Sequence, residues 1–93
     1  MDRFLPGTRI ELQASQGAGL WFLPAECEVI ESLRDLHGRV VRAKLSIPIP
    51  LRNTDIEEVV LLVGETGSCD VYMGLSGSLS LDPILQIGQA RVV

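Results

Sequence analysis

Residues 39–52 read RVVRAKLSIPIPLR, and apolar and polar side chains alternate along this stretch. Side chains of a β-strand point alternately to its two faces, so a period of two predicts a strand. One face of this strand is apolar and the other is solvated. The apolar face holds Val41, Ala43, Leu45, Ile47, Ile49 and Leu51.

Two prolines in the same stretch restrict how this strand can pair. Pro48 and Pro50 are two residues apart, so their nitrogens lie along the same edge of the strand. Proline nitrogen carries no hydrogen, and a neighbouring strand therefore receives no hydrogen bond from it. We expect strand pairing to stop along that edge at the prolines.

The aliphatic content is larger than one small core can enclose. The chain has 93 residues, which predicts a single domain over residues 1–93, and it contains 14 Leu, 9 Val and 7 Ile. Surplus aliphatic side chains tend to form patches that another subunit covers. We predict a homo-oligomer, most simply a two-fold dimer. The expected contributors to the interface are residues 84–93, as an exposed terminal strand, and the apolar side of a strand left unpaired.

Charge and hydropathy disfavour several classes of partner. The net charge of −4 disfavours nonspecific binding to nucleic acid or to acidic lipid. The longest strictly apolar run, Val59–Val63, is far too short to cross a bilayer, and no signal-peptide core is visible. Cys27 and Cys69 fit neither a metal-binding nor a disulfide-rich pattern. We therefore expect free thiols in an acidic cytoplasmic protein.

Residues 24–38, PAECEVIESLRDLHG, fit two structures. A helix over 24–37 would have a proline at its first position and a glycine after its end, and it would make the protein an α+β fold. A strand over the same residues alternates less cleanly, because Ile30 and Glu31 break its period of two.

Charges on the following strand favour a hairpin over the helix. If residues 34–38 form the loop, Leu33 faces Arg39, and Glu28 lies directly opposite Lys44. Opposite charges across an antiparallel pair contribute about 0.2–1 kcal/mol. We therefore predict a hairpin in which Glu28 and Lys44 are neighbours.

The rest of the chain is rich in short strand patterns. Val59–Val63 is a continuous apolar run, which is typical of a strand buried on both faces. Residues 8–13 and 69–75 alternate, and residues 84–93 are suited to a last strand. Several short strands separated by turns predict a mainly β fold, a small barrel or sandwich.

Three segments of the first half follow one another at regular spacing, namely GTRIEL (7–12), GLWFLPAECEVIESL (19–33) and GRVVRAKL (38–45). Their cadence resembles three successive strands of SH3-like barrels of the Tudor and agenet kind. The resemblance implies a barrel, and such domains typically build an aromatic cage for methylated lysine. It rests on spacing, so it transfers no function to this chain.

Residue types that carry catalysis or bind metals are sparse. His37 is the only histidine, and the two cysteines are far apart in sequence, so we expect no zinc site. Ser76 and Ser78 lie in GLSGS, which lacks the last glycine of a nucleophile elbow. Residues 64–68, GETGS, lack the lysine and spacing of a phosphate loop. We expect neither catalytic activity nor a cofactor.

The candidate binding residues are the aromatic side chains and the basic positions of the long strand. Our first hypothesis is a noncatalytic module that self-associates and contacts a protein or peptide partner. Our second hypothesis is a small barrel that binds or transforms an apolar small molecule in an internal pocket. The contact residues in the first hypothesis are Trp21, Phe22, Tyr72, Arg42 and Lys44.

Overall fold

Six β-strands form a closed antiparallel barrel. The computed structural model describes residues 4–14, 23–35, 38–51, 54–65, 67–74 and 86–93. The strands are β1 (Arg9–Ala14), β2 (Ala25–Asp35), β3 (Gly38–Leu51), β4 (Thr54–Val63), β5 (Ser68–Met73) and β6 (Gln86–Val92). The predicted mainly β fold is confirmed, and of the two predicted architectures, barrel or sandwich, it is the barrel. The alternative α+β fold with a helix over 24–37 is wrong, because β2 occupies this segment and pairs along both edges.

The last strand of the chain closes the barrel. β6 pairs with β5 along one edge and with β1 along the other. Its residues Ala90 and Val92 are buried in the interior. The expectation that residues 84–93 include an unpaired terminal strand is therefore wrong for β6, since closure uses both of its edges. Residues 84 and 85 lie outside the described residues.

Aliphatic side chains fill the barrel interior. Alternate positions of the strands point inward, as the period of two requires. The inward side chains form one apolar cluster, which also includes both cysteines and Phe4. Leu12, Val29, Val41, Leu61 and Val71 are its largest fully buried aliphatic members on five different strands.

β4 is buried on both faces, as its apolar run predicts. Val59 and Leu61 point into the barrel, whereas Val60 points outward and is still fully buried. On the outer face Val60 packs with Val40 and Tyr72 in a second apolar cluster. This outer cluster explains why β4 lacks the usual alternation of apolar and polar residues.

β2 and β3 form the predicted hairpin, and Glu28 pairs with Lys44 as expected. The turn is shorter than predicted, because β2 ends at Asp35 and β3 begins at Gly38. A bulge at Ile30 adds one residue to β2 and compensates for the shorter turn. The two differences cancel, so the predicted pairing of the charges is preserved.

The same bulge changes which positions of β2 point inward. Glu31 pairs with Arg42 on the outer face, and Ser32 pairs with Val41 of the interior. Leu33, expected opposite Arg39, instead pairs with Val40 and is 43% exposed. The break in the alternation of this segment therefore results from a bulge and does not indicate a helix.

The three segments that resemble SH3-like barrels contain β1, β2 and β3, so the successive strands implied by the resemblance are confirmed. The first segment starts at a turn in which Thr8 N donates to Leu5 O at 3.0 Å. Gly7, after Pro6, has a φ of 90°. A proline followed by a residue of positive φ is the arrangement of a type II turn, which favours glycine there.

Candidate functional site

β2 and β3 separate before β3 ends. Their pairing ends at Cys27 and Leu45, beyond which β2 pairs with β1 alone and β3 with β4 alone. As predicted, none of the described strands pairs with this edge of β3 at Pro48 and Pro50, and pairing along it already ends at Leu45. We call the opening between residues 24–26 and residues 46–50 the β2–β3 split.

The free backbone groups of β2 point into this split at Glu26. Gly7 N donates to Val29 O, and Val29 N donates to Thr8 O, both at 2.8 Å. The peptide groups of Val29 therefore face the β1 side. Because peptide groups of a strand alternate between its two edges, those of Glu28 and Glu26 face β3.

The two prolines occupy the opposite wall of the β2–β3 split. Lys44 is paired with β2, and Ile49 is buried inward as Ala43 is. Residues of one strand that share a face also share the edge to which their peptide groups point. The peptide groups of Pro48 and Pro50 therefore point to the same edge of β3 as those of Lys44, and this edge faces the split. There the two prolines present carbonyl oxygens but no N–H.

Ile47 protrudes from the barrel wall beside the split. Between the pairs Lys44–Glu58 and Ile49–Ile56, β3 has the four residues 45–48, whereas β4 has only residue 57. The extra length forms a wide irregularity in the pairing, and Ile47 is 80% exposed. The expectation that Ile47 lies on the buried face of β3 is therefore wrong, because this irregularity interrupts the period of two.

A mostly apolar groove of about 320 Å³ lies over the β2–β3 split. This volume is at the lower end of the range of ligand pockets, about 300–1,000 Å³. The groove suits one or two apolar side chains, with backbone acceptors beside them. Its lining includes Pro24, Ala25, Glu26, Ile47, Pro48 and Pro50.

Arg42, a predicted binding residue, is fixed by two carboxylates on the outer face. Its Nη1 donates to Glu58 Oε1 at 3.3 Å, and its Nε lies 3.2 Å from Glu31 Oε1. The contact with Glu31 is an ion pair that lacks hydrogen-bond geometry, since this buried Nε has no hydrogen-bond partner. Only 16% of the Arg42 side chain is exposed, so its charge is already compensated within the wall.

The structure brings three of the predicted binding residues to the same outer face. Arg42 and Tyr72 both pair with Val60, from opposite sides. Tyr72 is buried in the outer cluster rather than exposed, because it packs against Val60 and Val40. Lys44 is exposed and is the most accessible of the three.

Trp21 and Phe22, the remaining predicted binding residues, lie outside the described residues. They come just before Pro24, which lines the groove. The site residues that the sequence prediction missed are Ile47 and Pro24. The available signal was the repeat of isoleucine and proline at 47–50, which places apolar residues where pairing must stop.

The two thiols are enclosed in the interior. Burial raises the pKa of Cys27 to about 12 and that of Cys69 to about 11. Cys69 Sγ also donates to Ala90 O at 3.5 Å. A thiol with so high a pKa is protonated at neutral pH and is a poor nucleophile. Both cysteines therefore serve as core residues.

The other end of the barrel carries a second exposed apolar area. Ser32 Oγ donates to Phe4 O at 2.9 Å, and the Arg39 guanidinium lies 5.9 Å from the centre of the Phe4 ring. These contacts hold the buried Phe4 over the barrel end. Leu5 and Leu33, the chain neighbours of the hydrogen-bonded pair, are 55% and 43% exposed.

The residues considered for catalysis, His37, Ser76 and Ser78, lie outside the described residues. In the described part of the chain, no group of three His, Cys, Asp or Glu side chains is placed to hold a metal ion. The same residues include no helix that is long and apolar enough to cross a membrane. Comparisons with protein-family models, curated proteins and solved structures found no match for this chain.

Proposed function

We propose that the protein is a noncatalytic interaction module that binds a partner protein and a second copy of itself through its outer surface. The observation that carries this proposal is the contrast between a filled interior and apolar side chains on the outside. The inward side chains pack in one cluster, whereas Leu5, Leu33 and Ile47 are between 43% and 80% exposed. Ile47 lies at one end of the barrel and Leu5 and Leu33 lie at the other, and exposed apolar areas of this kind are typical of contact surfaces.

The filled interior favours this function over a barrel that binds an apolar small molecule inside. Such a ligand needs a cavity of roughly 300 Å³ or more, in the space where Val41, Leu61 and Val71 now pack. The groove over the β2–β3 split is bordered by the exposed Ile47, and a second cavity of about 270 Å³ is bordered by the exposed Gln89. Both cavities therefore lie at the surface of the protein.

The self-association surface in this proposal is the barrel end that carries Leu5 and Leu33. Their chain neighbours, Phe4 and Ser32, share a hydrogen bond. A two-fold axis through such a patch would place it against its own copy. Because β6 is paired along both edges, the contact would use side chains rather than a shared sheet.

A cytoplasmic location belongs to the same proposal. Cys27 and Cys69 are free and buried, and free thiols persist in reducing compartments. Lys44, which is exposed, stays a proposed contact residue, and Trp21 and Phe22 of the predicted set lie outside the described residues.

Light scattering tests self-association. At micromolar concentration we expect the mass of a dimer for the full chain. Leu33→Ser should weaken association by about tenfold or more, because it removes apolar area from the contact. Ile47→Ser is the matched control, since it removes a comparable exposed side chain from the other surface and should leave the dimer unchanged. A monomeric full chain would contradict self-association, and a dimer sensitive only to Ile47→Ser would contradict this interface.

A further inference from the structure

The β2–β3 split offers more hydrogen-bond acceptors than donors. Pro48 and Pro50 present their carbonyl oxygens to the split, and Ser46 lines the groove beside them. Among the three only Ser46 has an N–H. No described strand pairs with this part of the edge. An occupant that satisfies these carbonyls must therefore bring donors.

The surroundings of the β2–β3 split are acidic. Asp55 and Glu57 are exposed on β4, where it follows the end of β3. Among the described residues near the split, the cations Arg9 and Lys44 are already opposite carboxylates: Arg9 is 3.1 Å from Glu26, and Lys44 pairs across the sheet with Glu28. Asp55 and Glu57, together with the net charge of −4, favour a positively charged occupant.

A second copy of this chain is a poor occupant of the split. The edge of its own β3 carries Pro48 and Pro50, so two copies would oppose carbonyl oxygens to carbonyl oxygens. The two copies would also bring like charges together, since both carry Asp55 and Glu57. The complementary occupant has N–H donors, apolar side chains and positive charge.

We propose that the β2–β3 split binds an extended segment of a partner protein in which apolar and basic residues alternate. The inference rests on the proposed interaction function and names the class of partner. Backbone N–H groups of the segment donate to the carbonyls of Pro48 and Pro50, in the manner of an added strand. Its apolar side chains enter the groove against Ile47, and its basic side chains lie near Asp55 and Glu57.

The test is an NMR titration of the full, ¹⁵N-labelled chain with two synthetic peptides. One short peptide alternates valine with arginine, and the matched peptide alternates valine with glutamate. With the arginine peptide at up to about 1 mM, we expect the amide shifts to concentrate at Glu26, Ser46, Ile47 and Ile49. The glutamate peptide should bind at least about tenfold more weakly, because it brings like charges to the acidic surroundings.

Two variants localise the binding to the groove. Ile47→Ser should weaken binding of the arginine peptide by about tenfold, because it removes an apolar wall. Gln89→Ser, at an exposed position that borders the separate cavity, should leave the affinity unchanged. Positions 47 and 89 are both exposed, so both variants should fold.

Several results would overturn the inference. They are equal shifts with both peptides, shifts confined to other amides, or no shifts with the arginine peptide. Concentration-dependent shifts at the groove amides without any peptide would assign the split to a second copy and would also overturn it. None of these results decides the interaction function itself, which the scattering experiment tests without peptide.

Discussion

The two halves of β3 share one alternating pattern but not one environment. From Arg39 to Lys44 the strand pairs with both β2 and β4, and its inward residues are buried. Beyond Leu45 it pairs with β4 alone, and Ile47 is 80% exposed. In the same half Ile49, which pairs with β4, is buried, whereas Ile47 pairs with neither neighbouring strand. The alternation therefore identifies the faces of a strand, while pairing at the position itself decides whether an apolar side chain is buried.

A negative charge introduced into each half of β3 gives the largest expected difference in stability. Val41 is fully buried, so Val41→Asp places an unpaired carboxylate in the interior and should cost about 4 kcal/mol or more of unfolding free energy. Ile47→Asp should change that free energy by less than about 0.5 kcal/mol. Urea denaturation followed by circular dichroism measures both values. Similar losses for the two variants would show that the halves do not differ.

The basic residues of the fully paired half give a smaller contrast. Arg42 is held by Glu31 and Glu58, so Arg42→Ala leaves two partly buried carboxylates without their partner and should cost about 2 kcal/mol. Lys44→Ala should cost less than about 0.5 kcal/mol, because Lys44 is exposed. Urea denaturation followed by circular dichroism measures the unfolding free energy of these two variants as well. An Arg42→Ala variant as stable as Lys44→Ala would show that the ion pairs contribute nothing.

The buried thiols test whether the interior stays dry where the two halves meet. Cys27 pairs with Leu45 at the border of the β2–β3 split, and its pKa is about 12, against an ordinary value of 9.0. That of Cys69 is about 11. The unfolded chain therefore loses these protons first, and the stability contributed by the buried thiols falls as pH rises above about 9. At pH 10 the expected loss is about 1.4 kcal/mol for each thiol.

The control for this pH dependence is the double variant Cys27→Ala, Cys69→Ala. It should be less stable at neutral pH, because it leaves cavities, but it should lose less stability between about pH 8 and 10. Thermal unfolding at several pH values measures the difference. If both proteins lose stability equally, water reaches the thiols, and the wall beside the split is not sealed.

The features that could be predicted from the sequence are those that a local pattern determines. The alternation around Val41, the apolar run of β4 and the missing amides of Pro48 and Pro50 each act within a few residues. These patterns predicted the β fold, the strand buried on both faces and the end of β2–β3 pairing. The facing charges of Glu28 and Lys44 similarly predicted the register of the hairpin.

The features that could not be predicted depend on distant parts of the chain. Tyr72 is buried because β4 brings Val60 beside it, and β6 has no free edge because it pairs with β1. The exposure of Ile47 follows from unequal lengths of β3 and β4 between their pairs. Alternation alone carries none of this information, so the residues that line the apolar groove were not predicted as binding residues.

Ile30 is an extra residue of β2 at the bulge, without a partner on β3. Val29 pairs with Ala43 and Glu31 pairs with Arg42, the next residue along β3, so Ile30 has no partner of its own. A chain without Ile30 would keep every one of these pairs and the same inward positions. A related chain one residue shorter at this point would therefore have the same fold and the same alignment on both sides. Ile30 supplies curvature instead, because a bulged strand twists and bends more strongly, as closing a ring of only six strands requires.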